Sequence, residues 1–259
     1  MRNRLLVAAL VAFAVAFSLG GTALAGNGMV FPLIGHYTWA DRFGAPRSGR
    51  THQGQDLMAA NGTPVVACVS GYVSTRVGDS AGNWISLSGA KYTMWYMHLS
   101  RFAVRSGYVK AGQVVGYVGC TGNAGPGNYH LHFEIHPGGG AAVDPRTFLL
   151  GAAPIVSAPQ IGADTTLRQN TWYTSFGFLT PRHPAGKHTV FVNTAVYRMG
   201  HWSAGPSITT TNRDYRGITR WVTTRYALRI PGRWRAQGVS IEDAEHARSV
   251  SPFVYFSVR

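Results

Sequence analysis

The sequence predicts an all-β protein, and three observations carry that reading. Short runs rich in Val, Ile, Tyr, Trp and Thr recur along the chain, separated by Gly, Asn, Asp and Ser. No long stretch between residues 30 and 150 keeps the 3.6-residue apolar period of a helix. The run "NYHLHFEIHP" (128–137) alternates strictly, with Leu131, Phe133 and Ile135 on one side of a strand and His130, His132, Glu134 and His136 on the other.

Taken in order, the chain opens with "MRNRLLVAALVAFAVAFSLGGTALA", two arginines before an apolar run that ends in a small-x-small site at Ala23-Leu24-Ala25. Residues 1–25 are therefore expected to be a signal peptide, which makes the protein exported, secreted or cell-wall associated, with no stable membrane insertion once the leader is removed. The 259 residues carry 24 Lys and Arg against 10 Asp and Glu, and losing the two leader arginines lowers the formal net charge from +14 to +12. Such an excess favours polyanions. For an exported protein these are anionic cell-wall polymers rather than nucleic acid, and no run of five or six basic residues argues otherwise.

Residues 26–150 are predicted to form the first domain. "TPVVACVSGYVST", "NWISLSG", "YTMWYMHL" and "QVVGYVG" read as its strands. Cys68 and Cys120 lie in two of the apolar runs, and the export context permits a disulfide between them. Closing that loop would stabilise the fold by about 4 kcal/mol on the chain-entropy model. The two cysteines lack the spacing of a zinc knuckle and are not read as ligands. Residues 151–163, dotted with Gly, Pro and Ala, read as a linker. Residues 164–259 hold about seven further strands between Arg-, Thr- and Asn-rich loops, the pattern of an immunoglobulin-like β-sandwich. Its histidines, His183, His188, His201 and His246, are scattered and read as loop or surface residues.

A core-facing strand that turns three imidazoles and a carboxylate to its other side needs a reason. His-x-His sets two rings on one face, about 7 Å apart along the chain. That suits two ligands, or one ligand and one acid–base group. Upstream, "RTHQGQDLMAA" sets His52 and Asp56 four residues apart with Gly54 between them. On extended chain such a pair shares a face. One histidine of the later pair would complete a His₂Asp set of three protein ligands, which leaves the fourth position of a catalytic zinc open to water. In "TMWYMHLS", Tyr96 and His98 share a face of another expected strand, and His98 is a candidate base or oxyanion stabiliser beside the ligands.

The order "FGAPRSGRTHQGQDL", "GTPVVACVSGYV", "YMHLS", "GQVVGYVGCTGNAGPGNYHLHFEI" resembles the lysostaphin-like, LytM-type zinc endopeptidases with a duplicated hybrid motif, over roughly residues 31–150. The resemblance implies an antiparallel-sheet peptidase domain and one Zn²⁺ held by His52, Asp56 and His132. It further implies His98 and His130 as catalytic histidines. It implies peptide cross-links of bacterial peptidoglycan as substrate. On strand position alone, Tyr96 is a candidate supporting residue behind His98, and Glu134 either orients a ligand or caps the sheet. The approach "NAGPGNYHLHFE" departs from the family's Ser-Thr-Gly-Pro-rich form, which bears on loop shape.

Two rival readings follow from the same residues. "GDSAG" (78–82) matches Gly-x-Ser-x-Gly, but the serine elbow needs a following helix and the sequence after it is β-rich. The alternative within the resemblance is a catalytically silent wall-binding or hydrolase-activating protein, against which all five site residues are intact.

Overall fold

The structure, a computed structural model, describes residues 28–161, 166–183, 185–187, 189–215, 217–242 and 246–259. The expected leader at 1–25 and His188 lie outside the described residues. The architecture is all-β. Among the described residues no helix is long and apolar enough to cross a membrane.

The first half is built on strands β1 (Thr38–Trp39), β2 (Gln55–Met58), β3 (Pro64–Val66), β4 (Gly71–Gly78), β5 (Gly82–Ser88), β6 (Tyr92–Phe102), β7 (Ser106–Val109), β8 (Val114–Val118) and β9 (His130–Pro137). They form one antiparallel sheet in the order β1-β2-β9-β6-β5-β4-β7, with β8 pairing β3 and β6. Its core gathers the alternate residues of these strands, among them Leu57, Ile85, Met94, Tyr96, Leu131, Phe133 and Ile135. Because β9 lies between β2 and β6, the residues opposite to its core face look into whatever the two neighbours present. The serine of "GDSAG" sits in the tight β4–β5 hairpin, where no helix follows.

The expected Cys68–Cys120 disulfide is not formed, and both thiols are free. The strand between them explains why. The amide of Ala67 donates to the carbonyl of Gln113 just before β8, while Cys120 lies two residues beyond its end. The length of β8 separates the two cysteines by about 20 Å, well beyond the Cα separation a disulfide spans. Cys68 is instead buried beside Tyr96, whose hydroxyl accepts its backbone amide at 2.9 Å, and burial pushes its thiol up to about 12.

Segment 151–163, expected as a linker, is packed where it is described. Ala152 and Ala153 are fully buried, and Ile155–Val156 pair with Leu179–Thr180. The second half is again a β structure. Its 15-residue strand His201–Tyr215 pairs with Val190–Arg198 along its first part and with Ile218–Thr223 along its second. That one strand joins two layers around a core of Trp221, Trp234, Val192 and Phe256. The halves touch directly: the amide of Gly35 donates to the hydroxyl of Thr180 at 3.1 Å, and that hydroxyl donates to the carbonyl of Leu33 at 3.3 Å. His183 and His246, read from sequence as surface residues, are buried at this junction with their rings 4.8 Å apart and Phe31 against His246. Burial against an apolar partner, which spacing in one sequence does not report, accounts for the difference. His201 is exposed.

Candidate metal centre

The site forms where β2, β9 and β6 lie side by side. In the β2–β9 ladder His132 stands directly opposite Asp56, and its Nδ1 lies 2.9 Å from Asp56 Oδ1. His52 Nε2 lies 2.9 Å from the same His132 nitrogen and 3.2 Å from Asp56 Oδ1. Residues i and i+4 of a straight strand are about 13 Å apart. The chain therefore has to bend before β2, and it does so at Gly54. A Cβ on Gly54 would stand 2.5 Å from the carbonyl of Phe133 and 2.7 Å from His132 Nε2, so only glycine lets the bend lie this close to β9.

Each of these rings is aimed by its other nitrogen. A carbonyl can only accept, so His52 Nδ1–H donates to Arg42 O at 2.9 Å and leaves Nε2 bare toward the centre. His132 Nε2 is held by the carboxylate of Glu134 at 2.9 Å, which leaves Nδ1 as the inward atom. Glu134 also reaches His136 Nε2 at 2.8 Å through its other oxygen. His136 in turn donates from Nδ1 to Gly140 O at 2.7 Å and stacks on Trp95. His136 was outside the sequence motif, yet it is buried and part of the same face; its place in the alternation of β9 was the available signal.

The donor chemistry fits a divalent cation. Two imidazole nitrogens and one carboxylate oxygen lie within 4.8 Å of one another, all on buried or nearly buried residues. A tetrahedral ion with bonds of about 2.0–2.1 Å sets its ligands about 3.3 Å apart, close to the separations found here. Lone pairs so near one another repel unless a positive charge lies between them, either a proton or a metal. The electrostatics show that demand. Burial works against charge on both partners, but His132 and His52 hold Asp56 well below the usual carboxylate range. Against the same opposition, Asp56 and Glu134 raise His132 to about 9.

His98 and His130 flank this group. Their ring centroids are 4.7 Å apart, and His130 Nε2 is 3.9 Å from Asp56 Oδ1. His98 Nδ1–H donates to Thr121 O at 2.8 Å and His130 Nδ1–H to Asn128 O at 2.9 Å, so each ring turns its Nε2 away from these carbonyls. Burial, reinforced by His130 and His132, pushes His98 down to about 4. Thr121, unremarked in the sequence, is fixed by its own hydroxyl, which accepts from Asn83 N–H and donates to Leu99 O, both at 2.9 Å.

Tyr96 does not share the face of His98. β6 pairs Ile85 with Tyr96 but Asn83 with Leu99, an irregularity of the ladder, and His98 within it adopts φ +62°. Such a bulge shifts the alternation of the strand. Tyr96 consequently points into the core against Phe133, whereas His98 joins Trp95 and Met97 on the wall of the groove. Period-2 reading misplaced Tyr96 because it counts no bulges. The groove has a volume of about 630 Å³ and continues past Arg47, Arg50, Asn123 and Asn128.

Residues 50–145 match the model of peptidase family M23. Lysostaphin from Staphylococcus simulans is 40% identical over 115 residues, covering 40% of this chain and 22% of lysostaphin. Peptidoglycan DD-endopeptidase ShyC from Vibrio cholerae is 36% identical over 108 residues, covering 40% of this chain and 24% of its own length. The chain thus spans about a quarter of the length of these curated relatives. A zinc-containing peptidase structure from Vibrio cholerae aligns at 28% identity and a TM-score of 0.41, over 46% of this chain and 39% of that one.

Proposed function

We propose that the protein is an exported zinc metalloendopeptidase that hydrolyses peptide cross-links of bacterial peptidoglycan, with an immunoglobulin-like module as its second half. The observation that supports this reading is the meeting of His52 Nε2, Asp56 Oδ1 and His132 Nδ1 within 4.8 Å, beside two further histidines, at the floor of an open groove.

In this reading His52, Asp56 and His132 hold one Zn²⁺. Bound there, zinc supplies Lewis acidity, polarising a peptide carbonyl and making water more acidic. The remaining chemistry belongs to the chain. His98 and His130, each fixed by a carbonyl at Nδ1, offer Nε2 as a proton acceptor to water entering the groove. Once protonated, either ring becomes a donor for the negative oxygen that develops on the attacked carbonyl, and later for the leaving amine. Burial keeps His98 neutral, and so able to accept, throughout the neutral range. The groove is open along one side, which suits a polymer-attached peptide with small side chains.

The test is purified protein on peptidoglycan, with release of new amino groups measured before and after chelation and after zinc is restored. Loss on chelation and recovery with zinc is expected. Undiminished release from metal-free protein would refute the metal mechanism, and silence of the zinc-loaded protein on walls of every cross-bridge type would favour the hydrolase-activating role.

A further inference from the structure

Outside the groove, one face of the β structure in the second half carries a connected set of aromatic rings and guanidinium groups. Tyr197 and Trp202 lie opposite each other on neighbouring strands with ring centroids 5.3 Å apart. Trp202 is 5.9 Å from Tyr255, and Tyr255 is 6.3 Å from Phe253. Three of the four are well exposed: Tyr255 at 54%, Phe253 at 40% and Tyr197 at 39%. Arg235 is clamped between rings, 4.6 Å from Trp202 and 4.3 Å from Phe253, and Arg233 lies 5.7 Å from Tyr197.

This pattern asks for a ligand. The Arg235 Nε is buried without a hydrogen-bond partner, and no carboxylate forms an ion pair with Arg233 or Arg235 among the described residues. From residue 155 onward the chain has 13 basic and 5 acidic residues, a surplus of +8, so the face is complementary to an anion. Two aromatic planes hold the Arg235 guanidinium in one place, which lowers the entropy lost when it pairs with an acidic group. The nearby outward residues Asn193 and Gln237, opposite each other across the same sheet, are amides and not further cations. A ligand that carries many hydroxyls beside its acidic groups suits that mixture. An oligodeoxynucleotide offers phosphates and bases but few hydroxyls, and would be met by more positive charge and fewer amides.

We infer that this face binds an acidic polysaccharide, its sugar rings stacking on Tyr197, Trp202, Tyr255 and Phe253 and its acidic groups pairing with Arg235 and Arg233. The inference does not depend on the hydrolase reading, because none of these residues belongs to the metal centre.

The experiment is binding of the purified protein to alginate, to neutral dextran and to an oligothymidylate at equal ionic strength. Alginate binding that exceeds both others and weakens with added salt is expected. Arg235→Gln and Tyr255→Ala should each weaken it about tenfold while leaving zinc content and peptidoglycan hydrolysis in solution unchanged. Thermal unfolding of both variants separates a binding role from a packing role, since exposed Tyr255 can be removed with little effect on stability. Alginate binding by Tyr255→Ala and Arg235→Gln equal to that of the parent protein would overturn the inference. So would equal affinity for dextran, or tighter binding of the oligothymidylate.

Discussion

Glu134 bridges two imidazoles, reaching His132 Nε2 at 2.9 Å with one oxygen and His136 Nε2 at 2.8 Å with the other. A carboxylate behind a ligating histidine fixes both its rotation and its tautomer, and losing such a partner typically lowers metal affinity 10–100-fold. Glu134→Ala is expected to weaken zinc binding by that order, as read by titration against a competing chelator. Glu134→Gln retains one acceptor and should fall between. Because His136 reaches the ligand group through Glu134 and contacts none of the three donors itself, His136→Ala should have the smaller effect on zinc affinity. Zinc affinity of Glu134→Ala equal to that of the parent protein would remove Glu134 from the site's support.

Gly54 supplies the second prediction. A methyl group there would meet the Phe133 carbonyl at 2.5 Å and His132 Nε2 at 2.7 Å. The first is backbone of the central strand and has nowhere to retreat. Gly54→Ala should therefore push β2 from β9, destabilise the fold by about 1–3 kcal/mol and separate His52 from His132. Thermal unfolding and zinc titration would both register it. An unchanged midpoint together with intact zinc binding would show that the bend can be re-formed elsewhere.

These two residues also mark what the sequence could and could not convey. The alternation of β9 announced its inward and outward faces without error, since a strand buried on one side leaves little freedom of register. The candidate ligands His52, Asp56 and His132 were nameable before any geometry. What escaped were features set by close approach and by irregularity. The bulge at His98 sent Tyr96 into the core, and the length of β8 kept Cys68 from Cys120. Burial of His183 and His246 depended on contact between the two halves, which no local pattern encodes.

The metal-free protein should show a pH dependence with a readable sign. The neutral form of His98 is favoured on folding, its pKa falling from 6.5 to about 4 under burial. Between those values the unfolded chain binds the proton more readily than the folded one, so stability falls as pH drops from about 6.5 to about 4. His132 behaves oppositely. Its pKa is raised to about 9, so its contribution is fully present below 6.5 and is lost as pH rises toward 9. Asp56, depressed below its ordinary 3.8, loses its contribution only in more acid solution. Denaturant titrations of the metal-free protein should hence find maximal stability near pH 6.5, and His98→Asn should flatten the acid limb alone. An acid limb unaltered in His98→Asn would contradict the assignment.

The division of labour among the histidines is open to a direct contrast. His132 Nδ1 lies 2.9 Å from both His52 Nε2 and Asp56 Oδ1, whereas the His98 ring centroid stands 5.9 Å from that of His132 and its Nδ1 is committed to Thr121. Removing His132 leaves two donors, too few to hold zinc in the presence of a chelator. Removing His98 leaves all three donors and the bend at Gly54 untouched. His132→Ala should therefore lose both metal and hydrolysis. His98→Ala should keep one zinc per chain while turnover falls about 10²–10⁴-fold, the range ascribed to a positioned acid–base group. Thr121→Gly offers a milder version, since its backbone carbonyl remains but the hydroxyl bonds to Asn83 and Leu99 that fix it are gone. If His98→Ala instead releases the metal, His98 is a ligand and the bulge in β6 exists to aim it at the ion, not at the water beside it.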